Sequence, residues 1–221
     1  MPLEEEPYYC HEQIHIPPQF PDILKQFTKA AIRTQPKDVL SWSHAYFRAM
    51  ANGELPPVKE RLEMPISTQK TDTGLTPELL KTLNRQLGPK KVIQLEEIEA
   101  RWKDLLIPME LFHEVCKIGN FVVDAEWLKF LSICATTIRA NITESLKLLC
   151  EILTADPECG PSRISFELWK MLYTYLVSID GCISAEHVES VITYLGADVE
   201  RQGGLVQPSN FFHPDCPKVQ P

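Results

Sequence analysis

The hydrophobic positions between residues 20 and 50 recur at helical spacing in two separate runs. In the first run the apolar residues follow at intervals of three or four, which predicts one stripe of an α-helix. Its members are Phe20, Ile23, Phe27 and Ala31. Gln35-Pro36 marks a turn, because proline disfavours helix at the residue before it but suits the first turn of a new helix. The second stripe consists of Val39, Trp42, Tyr46, Phe47 and Met50. The pattern predicts a two-helix hairpin.

The predicted hairpin is too small to bury such aromatic stripes by itself. Units below about 40 residues usually need a metal, disulfides or a partner subunit, and the hairpin has neither a cysteine pair nor a cluster of metal-ligating residues. A second copy is the natural solution, because an antiparallel pair of hairpins forms a four-helix bundle. The predicted dimer core consists of Phe20, Ile23, Phe27, Ala31, Val39, Trp42, Tyr46 and Phe47.

A second row of residues on the first helix lies about a quarter turn from the core stripe. It contains Pro21, Thr28 and Ile32, with Leu24 between the two rows. Twofold symmetry places two such rows side by side, and the alternating residues Ile14 and Ile16 run along the rim before Pro17-Pro18. A shallow apolar groove of this kind is typical of a receptor for an amphipathic helix.

The order of these residues resembles the dimerisation and docking domain of the type II regulatory subunits of cyclic-AMP-dependent protein kinase. The shared string is I-x-I-P-P, L-K-x-F/Y-T, R-x-Q-P-x-D and A-x-Y-F, which stands here as Ile14, Ile16, Pro17, Pro18, Leu24, Phe27, Thr28, Arg33, Gln35, Pro36, Asp38, Tyr46 and Phe47. The longer run IPPQFPDILKQFTKAAIRTQP, together with most of the remaining chain, resembles the ropporins.

The resemblance implies a non-enzymatic adaptor of the sperm flagellum and cilia. It implies docking onto kinase-anchoring proteins and radial spoke proteins of the axoneme, in support of motility and cyclic-AMP-dependent kinase signalling. It implies a groove formed by Ile14, Ile16, Leu24, Thr28 and Ile32, in a homodimer or in a heterodimer with a ropporin relative. Lys25 and Lys29 flank the groove where the kinase subunits carry less charge, so the choice of partner is expected to differ.

The rest of the chain reads as a series of helices separated by clear stop signals. Thr76, Asn141, Ser165 and Ser184 each precede a helical apolar pattern and are typical N-caps. We find no convincing strand pattern and predict an all-α fold. The predicted divisions are an acidic tail (1–13), the dimerisation and docking hairpin (14–53), a linker (54–75), a helical C-terminal domain (76–213) and a tail (214–221).

Composition narrows the function classes. The net charge is −8 and no basic block occurs, which argues against nucleic acid or an anionic membrane as a partner. The acidic N-terminus lacks a signal-peptide pattern, and the longest apolar stretch is too short to cross a bilayer. Seven scattered cysteines are typical of free thiols in a reducing compartment. The expected location is cytoplasmic, on the axoneme of the flagellum or cilium.

The strongest candidate for ligand chemistry is a vestigial EF-hand in the C-terminal domain. Residues 178–183 and 203–206 each combine glycine with a β-branched residue two places on. A calcium loop also needs oxygen ligands and an acid at position 12. Counting from Gly181 as position 6 puts Leu176 and His187 at positions 1 and 12, and counting from Gly204 puts Val199 and Asn210 there. None of these four is suitable, so calcium binding is not expected.

A calcium-responsive regulator that uses this EF-like region is the alternative function, and calorimetric titration with calcium separates the two hypotheses. Zinc is not expected either, because Cys10-His11 and His213 to Cys216 stand at opposite ends of the chain and are interpreted as exposed terminal residues. Cys116, Cys134 and Cys150 fall on apolar helix faces and are interpreted as core residues. No nucleotide or hydrolase motif is present, so we predict no cofactor and no catalytic residues.

Overall fold

Helices dominate the architecture. The computed structural model describes residues 17–60, 74–157 and 160–220. In chain order its helices are α1 Phe20–Thr34, α2 Val39–Ala51, α3 Pro77–Leu87, α4 Leu95–Asp104, α5 Met109–Gly119, α6 Trp127–Ile138, α7 Ile142–Leu153, α8 Phe166–Asp180, α9 Ala185–Arg201 and α10 Pro208–Phe211. Its strands are β1 Val92–Gln94, β2 Asp124–Glu126, β3 Ile164–Ser165 and β4 Leu205–Val206. The prediction of a mainly α-helical protein is confirmed.

All four predicted N-caps stand at helix starts. The side chains of Thr76, Asn141, Ser165 and Ser184 accept hydrogen bonds from backbone N–H groups in the first turn of α3, α7, α8 and α9. Such a bond satisfies one of the donors that a helix start leaves without a partner. Gly181 ends α8 in a left-handed conformation with φ of 67°, which glycine adopts without steric cost. Local chemistry therefore sets these boundaries.

One continuous hydrophobic core joins α3 to α10, and we call this part the body (residues 74–220). Its largest fully buried side chains include Trp102, Trp127, Trp169, Tyr173 and Phe130. The core runs from Leu75 to Val219. The hairpin of α1 and α2 has a small core of its own around Ala30, Trp42 and Tyr46. The apolar surface of the body is thus largely satisfied within one chain.

The prediction that the chain contains no strand is wrong. β1 pairs with β2, and β3 pairs with β4, each as a two-stranded antiparallel sheet. Every strand has only two or three residues and leads directly into the next helix. An alternating pattern needs four or more residues to be visible, so segments this short leave no periodic signal.

The interpretation of His213 to Cys216 as exposed terminal residues is wrong for Cys216: His213 is exposed, but Cys216 is buried in the body, as is Val219 beyond it. The Tyr173 hydroxyl donates to the Val219 carbonyl oxygen at 3.0 Å, and the Ile142 N–H donates to the Gln220 side-chain oxygen at 2.8 Å. The end of the chain is therefore part of the packed structure, although the domain boundary at residue 213 stays a prediction.

Candidate docking and dimerisation surface

The turn between α1 and α2 is defined by local hydrogen bonds. Gln35 ends α1 in a left-handed conformation with φ of 48°, and its N–H donates to Ala31. Asp38 then caps α2: Oδ1 accepts from the Leu40 and Ser41 N–H groups at 3.0 and 3.1 Å. The Ser41 hydroxyl donates to Oδ2 at 2.6 Å, and these bonds lower the pKa of Asp38. The chain therefore reverses direction at a fixed point.

Phe27 is the centre of an aromatic cluster between the two helices. Its ring centroid lies 5.6 Å from that of Trp42 and 4.9 Å from that of Phe47, both in stacked geometry. Tyr46 meets the same ring edge-on at 5.4 Å. Offset and edge-to-face aromatic pairs add stabilisation beyond the area that they bury. The relative position of α1 and α2 depends on this cluster.

The predicted dimer-core residues differ in how far a single chain buries them. Trp42 and Tyr46 are buried, and Ile23, Phe27 and Ala31 are half-buried. Phe20, Val39 and Phe47 are exposed. The exposed side chains Leu40 and Met50 extend this apolar surface, and Leu40 was absent from the sequence prediction because it lies outside the second stripe. One hairpin thus leaves a large part of its apolar surface in contact with water.

The predicted groove residues on α1 lie on an exposed face. Leu24 and Ile32 are exposed, as are Pro21, Lys25 and Lys29. The Thr28 hydroxyl donates to the Leu24 carbonyl oxygen at 2.8 Å, which satisfies this polar group within the helix. Ile14 and Ile16 lie outside the described residues. The arrangement offers an apolar strip with two ammonium groups beside it.

The residues that follow α2 attach the hairpin to the body, and we call residues 54–60 the connecting segment. The Trp42 indole N–H donates to the Pro57 carbonyl oxygen at 2.8 Å, and Val58 packs on the hairpin core. On the other side, the Thr82 hydroxyl donates to the Val58 carbonyl oxygen at 3.3 Å. This part of the predicted linker therefore contacts both units.

Ion pairs also join α2 and the connecting segment to the body. Arg48 of α2 pairs with Asp104 of α4. Arg101 pairs with Glu54 at 2.7 Å, and this contact lowers the pKa of the Glu54 carboxyl and raises that of the guanidinium. Glu60 lies 2.7 Å from Lys81 of α3. Sequence reasoning missed these contacts, because they join residues that are distant along the chain.

The hydrogen bond of Trp42 gives a first testable prediction. Trp42→Phe keeps an aromatic ring but leaves the buried Pro57 carbonyl without its donor, a loss of about 1 kcal/mol. We expect the Lys59 amide, which donates to Thr34 Oγ1 at 3.3 Å, to exchange with deuterium about fivefold faster.

Trp102→Phe is the matched control, since Trp102 donates to the Pro108 carbonyl oxygen at 3.0 Å within the body. It is expected to destabilise the body without changing exchange at Lys59. Equal exchange rates at Lys59 in Trp42→Phe and the unchanged protein would show that this bond does not hold the connecting segment.

Two thiols of the body are fully enclosed in its core, whereas Cys182 is exposed. Cys134 and Cys150 are fully buried on α6 and α7, as predicted for core residues, and Cys116 is half-buried. Burial raises the pKa of Cys150 to about 12, so its thiol stays protonated at neutral pH. No three histidine, cysteine or carboxylate side chains meet in a metal-binding group within the described ranges. Cys10 and His11 lie outside those ranges.

A cleft of about 360 Å³ lies beside the hairpin. Its walls come from α2 and from the end of α4, and the lining includes Leu40, His44, Lys103, Asp104 and Leu106. His44 is exposed. No described helix is long and apolar enough to span a membrane.

The fold is that of a helical body preceded by a helical hairpin with an unburied apolar surface. Comparison with protein families matches the ropporin N-terminal domain to residues 1–54, the ropporin middle domain to residues 78–140 and the ropporin C-terminal domain to residues 141–206. The three matches cover most of the chain, which therefore belongs to the ropporin family. The resemblance to the ropporins, inferred from the run IPPQFPDILKQFTKAAIRTQP and most of the remaining chain, is confirmed.

Proposed function

We propose that this ropporin-family protein is a non-enzymatic adaptor of the sperm flagellum and cilia. It dimerises through the hairpin of α1 and α2, and each dimer docks amphipathic helices of kinase-anchoring and radial spoke proteins. The observation that supports this proposal is the contrast between the two units. The body buries most of its large apolar side chains in one continuous core, whereas the hairpin has only a small core and leaves Phe20, Leu24, Ile32, Val39 and Phe47 exposed.

Two different occupants account for the two sides of the exposed surface. Phe47 is an exposed member of the aromatic cluster around Phe27, so a second hairpin that covers Phe47 also covers the half-buried ring of Phe27. Phe20 and Val39, the other exposed residues of the two predicted core stripes, are covered by the same hairpin. In the second row of α1, Thr28 and Ile32 lie about a quarter turn or more around the helix from Phe27, and Leu24 lies between them and the core stripe. A partner helix with an apolar face fits this row, since burial of apolar area is the main favourable term in such grooves.

Charge beside the groove favours a particular kind of helix. Lys25 and Lys29 are exposed on α1, one turn apart, so they present two ammonium groups on the same face. Acidic residues that flank the apolar face of a partner helix are attracted to them. This attraction acts mainly on the association rate and weakens as salt rises.

Replacement of Leu24 tests docking separately from dimerisation. Leu24→Asp places an unpaired carboxylate under the partner helix, and Leu24→Ala removes apolar contact worth about 1.5 to 3 kcal/mol. We expect the alanine variant to bind a synthetic amphipathic helix of a kinase-anchoring protein at least roughly tenfold more weakly, and the aspartate variant to retain none in a pull-down. Ile16→Ala is expected to act in the same direction.

Leu55→Asp provides the matched control, because Leu55 is a similarly exposed leucine (51%, against 41% for Leu24) outside α1 and α2. Circular dichroism and sedimentation show whether each variant stays helical and dimeric. Binding of the anchoring helix by Leu24→Asp with the affinity of the unchanged protein would mean that this row is packing surface and not a groove.

A further inference from the structure

The four short strands divide the body into two pairs of helix–strand–helix units. The first pair joins α3-β1-α4 to α5-β2-α6, with Ile93 opposite Ala125. The second joins α7-β3-α8 to α9-β4-α10, with Ile164 opposite Val206. All four paired residues are buried. In each unit the second helix begins two residues after the paired residue.

This repeated geometry is the arrangement of paired EF-hands. In an EF-hand pair, residue 8 of each twelve-residue loop meets its counterpart in a short antiparallel contact, and the following helix starts two residues later. Counting seven residues back and four residues on from each paired residue gives loops 86–97, 118–129, 157–168 and 199–210. The last of these agrees with the count from Gly204 in the sequence.

The loop counted from Gly181 does not belong to this arrangement. Among the residues between α8 and α9 that the structure describes, none forms a strand, and β4 pairs instead with β3. Position 12 of the four structural loops holds Glu97, Lys129, Leu168 and Asn210. Only Glu97 is the acid that a calcium loop needs there.

The carboxylate of Glu97 is already paired with the positively charged side chain of Lys90. The Lys90 ammonium nitrogen lies 2.6 Å from Oε1 and 2.8 Å from Oε2, so it contacts both oxygens that a calcium ion takes from this position. Lys90 itself stands at position 5, another ligand position of the loop. Gln86, at position 1, has a buried Oε1 that accepts no hydrogen bond from any group in the described part of the chain.

We propose that loop 86–97 is an EF-hand-type cation loop whose cation is the ammonium group of Lys90. The ion pair between Lys90 and Glu97 takes the place of calcium and links position 5 of the loop to position 12. The first pair of units then keeps one shape whatever the calcium concentration. This inference rests on α3 to α6 and is independent of the docking proposal for the hairpin.

Lys90→Asp in the full-length chain tests whether the Lys90 ammonium group takes the place of calcium in this loop. It replaces the ammonium by a second carboxylate at position 5 of a loop that holds Gln86, Val92, Gln94 and Glu97 at positions 1, 7, 9 and 12. Without calcium, the two carboxylates repel and the melting temperature falls. For a site with a dissociation constant near 1 mM, we expect 10 mM CaCl₂ to raise it by roughly 3 to 5 °C. NaCl of equal ionic strength is expected to raise the melting temperature of Lys90→Asp much less. The melting temperature of the unchanged protein is expected to show no calcium-specific shift.

Lys103→Asp is the matched control. Lys103 pairs with Glu99 at 2.5 Å on α4, with side chains 58% and 35% exposed, against 55% and 35% for Lys90 and Glu97. Its replacement creates the same repulsion of two carboxylates without a loop around them. We expect no calcium-specific stabilisation of this variant.

The outcomes separate the explanations. Equal stabilisation of Lys90→Asp and Lys103→Asp by calcium would show that calcium only neutralises the added negative charge. If calcium stabilises neither variant, the loop does not have the geometry of a cation-binding site. Calcium binding by the unchanged protein would also overturn the proposal and favour a calcium-responsive regulator. If Lys90→Asp does not fold, calorimetric titration of Lys90→Asn with calcium tests the same proposal, with Lys103→Asn as the control. Heat of calcium binding is expected for Lys90→Asn and not for Lys103→Asn.

Discussion

Phe27→Ala is expected to separate the dimer into monomers and to lower the free energy of unfolding by about 3 to 5 kcal/mol. The ring contacts Trp42, Tyr46 and Phe47 within one hairpin and is half-buried there. In the proposed dimer a second hairpin completes its burial, so truncation removes contacts inside the chain and across the interface. Sedimentation of the full chain measures the first effect, and denaturant unfolding measures the second.

The full chain is the right material for this experiment. A fragment that ends at Gly53 lacks Pro57, the acceptor of the Trp42 indole, and Val58, which packs on the hairpin core. Phe212→Ala serves as the control, because Phe212 is an exposed phenylalanine on the body. A folded monomer in the unchanged protein would contradict the proposed dimer. A dimer of normal stability in Phe27→Ala would remove Phe27 from its core.

Val219→Asp is expected to destabilise the body by at least about 3 kcal/mol, because it places a carboxylate in an apolar site. Val219 is 1% exposed, and its carbonyl oxygen accepts the Tyr173 hydroxyl at 3.0 Å. The same segment places Cys216 in the core and the Lys218 carbonyl oxygen 2.6 Å from the His187 ring nitrogen. Displacement of Val219 therefore loosens contacts with α8, α9 and α7 together.

Thermal melting measures the effect of Val219→Asp, with a fall of roughly 6 to 12 °C expected for a chain of this size. Val122→Asp introduces the same group at a valine that is 84% exposed, and its melting temperature is expected to stay within about 2 °C of the unchanged protein. Similar melting temperatures for the two variants would show that residues 214–220 do not stabilise the body.

The sequence predicted most helices because their signals are local. A cap such as Thr76 or Asn141 acts within one turn, and stripes such as Leu111, Phe112 and Val115 identify the buried face of one helix. Glycine is a weaker local signal: Gly196 lies inside α9, which continues to Arg201 with Val199 buried. A glycine inside a helix costs only about 1 kcal/mol, and packing outweighs this cost.

The candidate groove and dimer core were predictable only as positions on a helix. Periodicity places Leu24 and Ile32 off the core stripe, and the structure leaves both exposed. Periodicity does not show whether other residues of the same chain bury a given residue of the stripe. Trp42 and Phe47 both belong to the second stripe, yet the connecting segment buries the former and the latter stays exposed.

By itself, the sequence determined the two-helix hairpin, the helical body and membership of the ropporin family, since each depends on local spacing or on a continuous motif. The tertiary structure alone decided which strands pair, where residues 54–60 attach and where residues 214–220 pack. It also brought the Lys90 ammonium onto Glu97 within its loop. These features join short segments that have no periodicity, and their stability comes from contacts with residues distant along the chain.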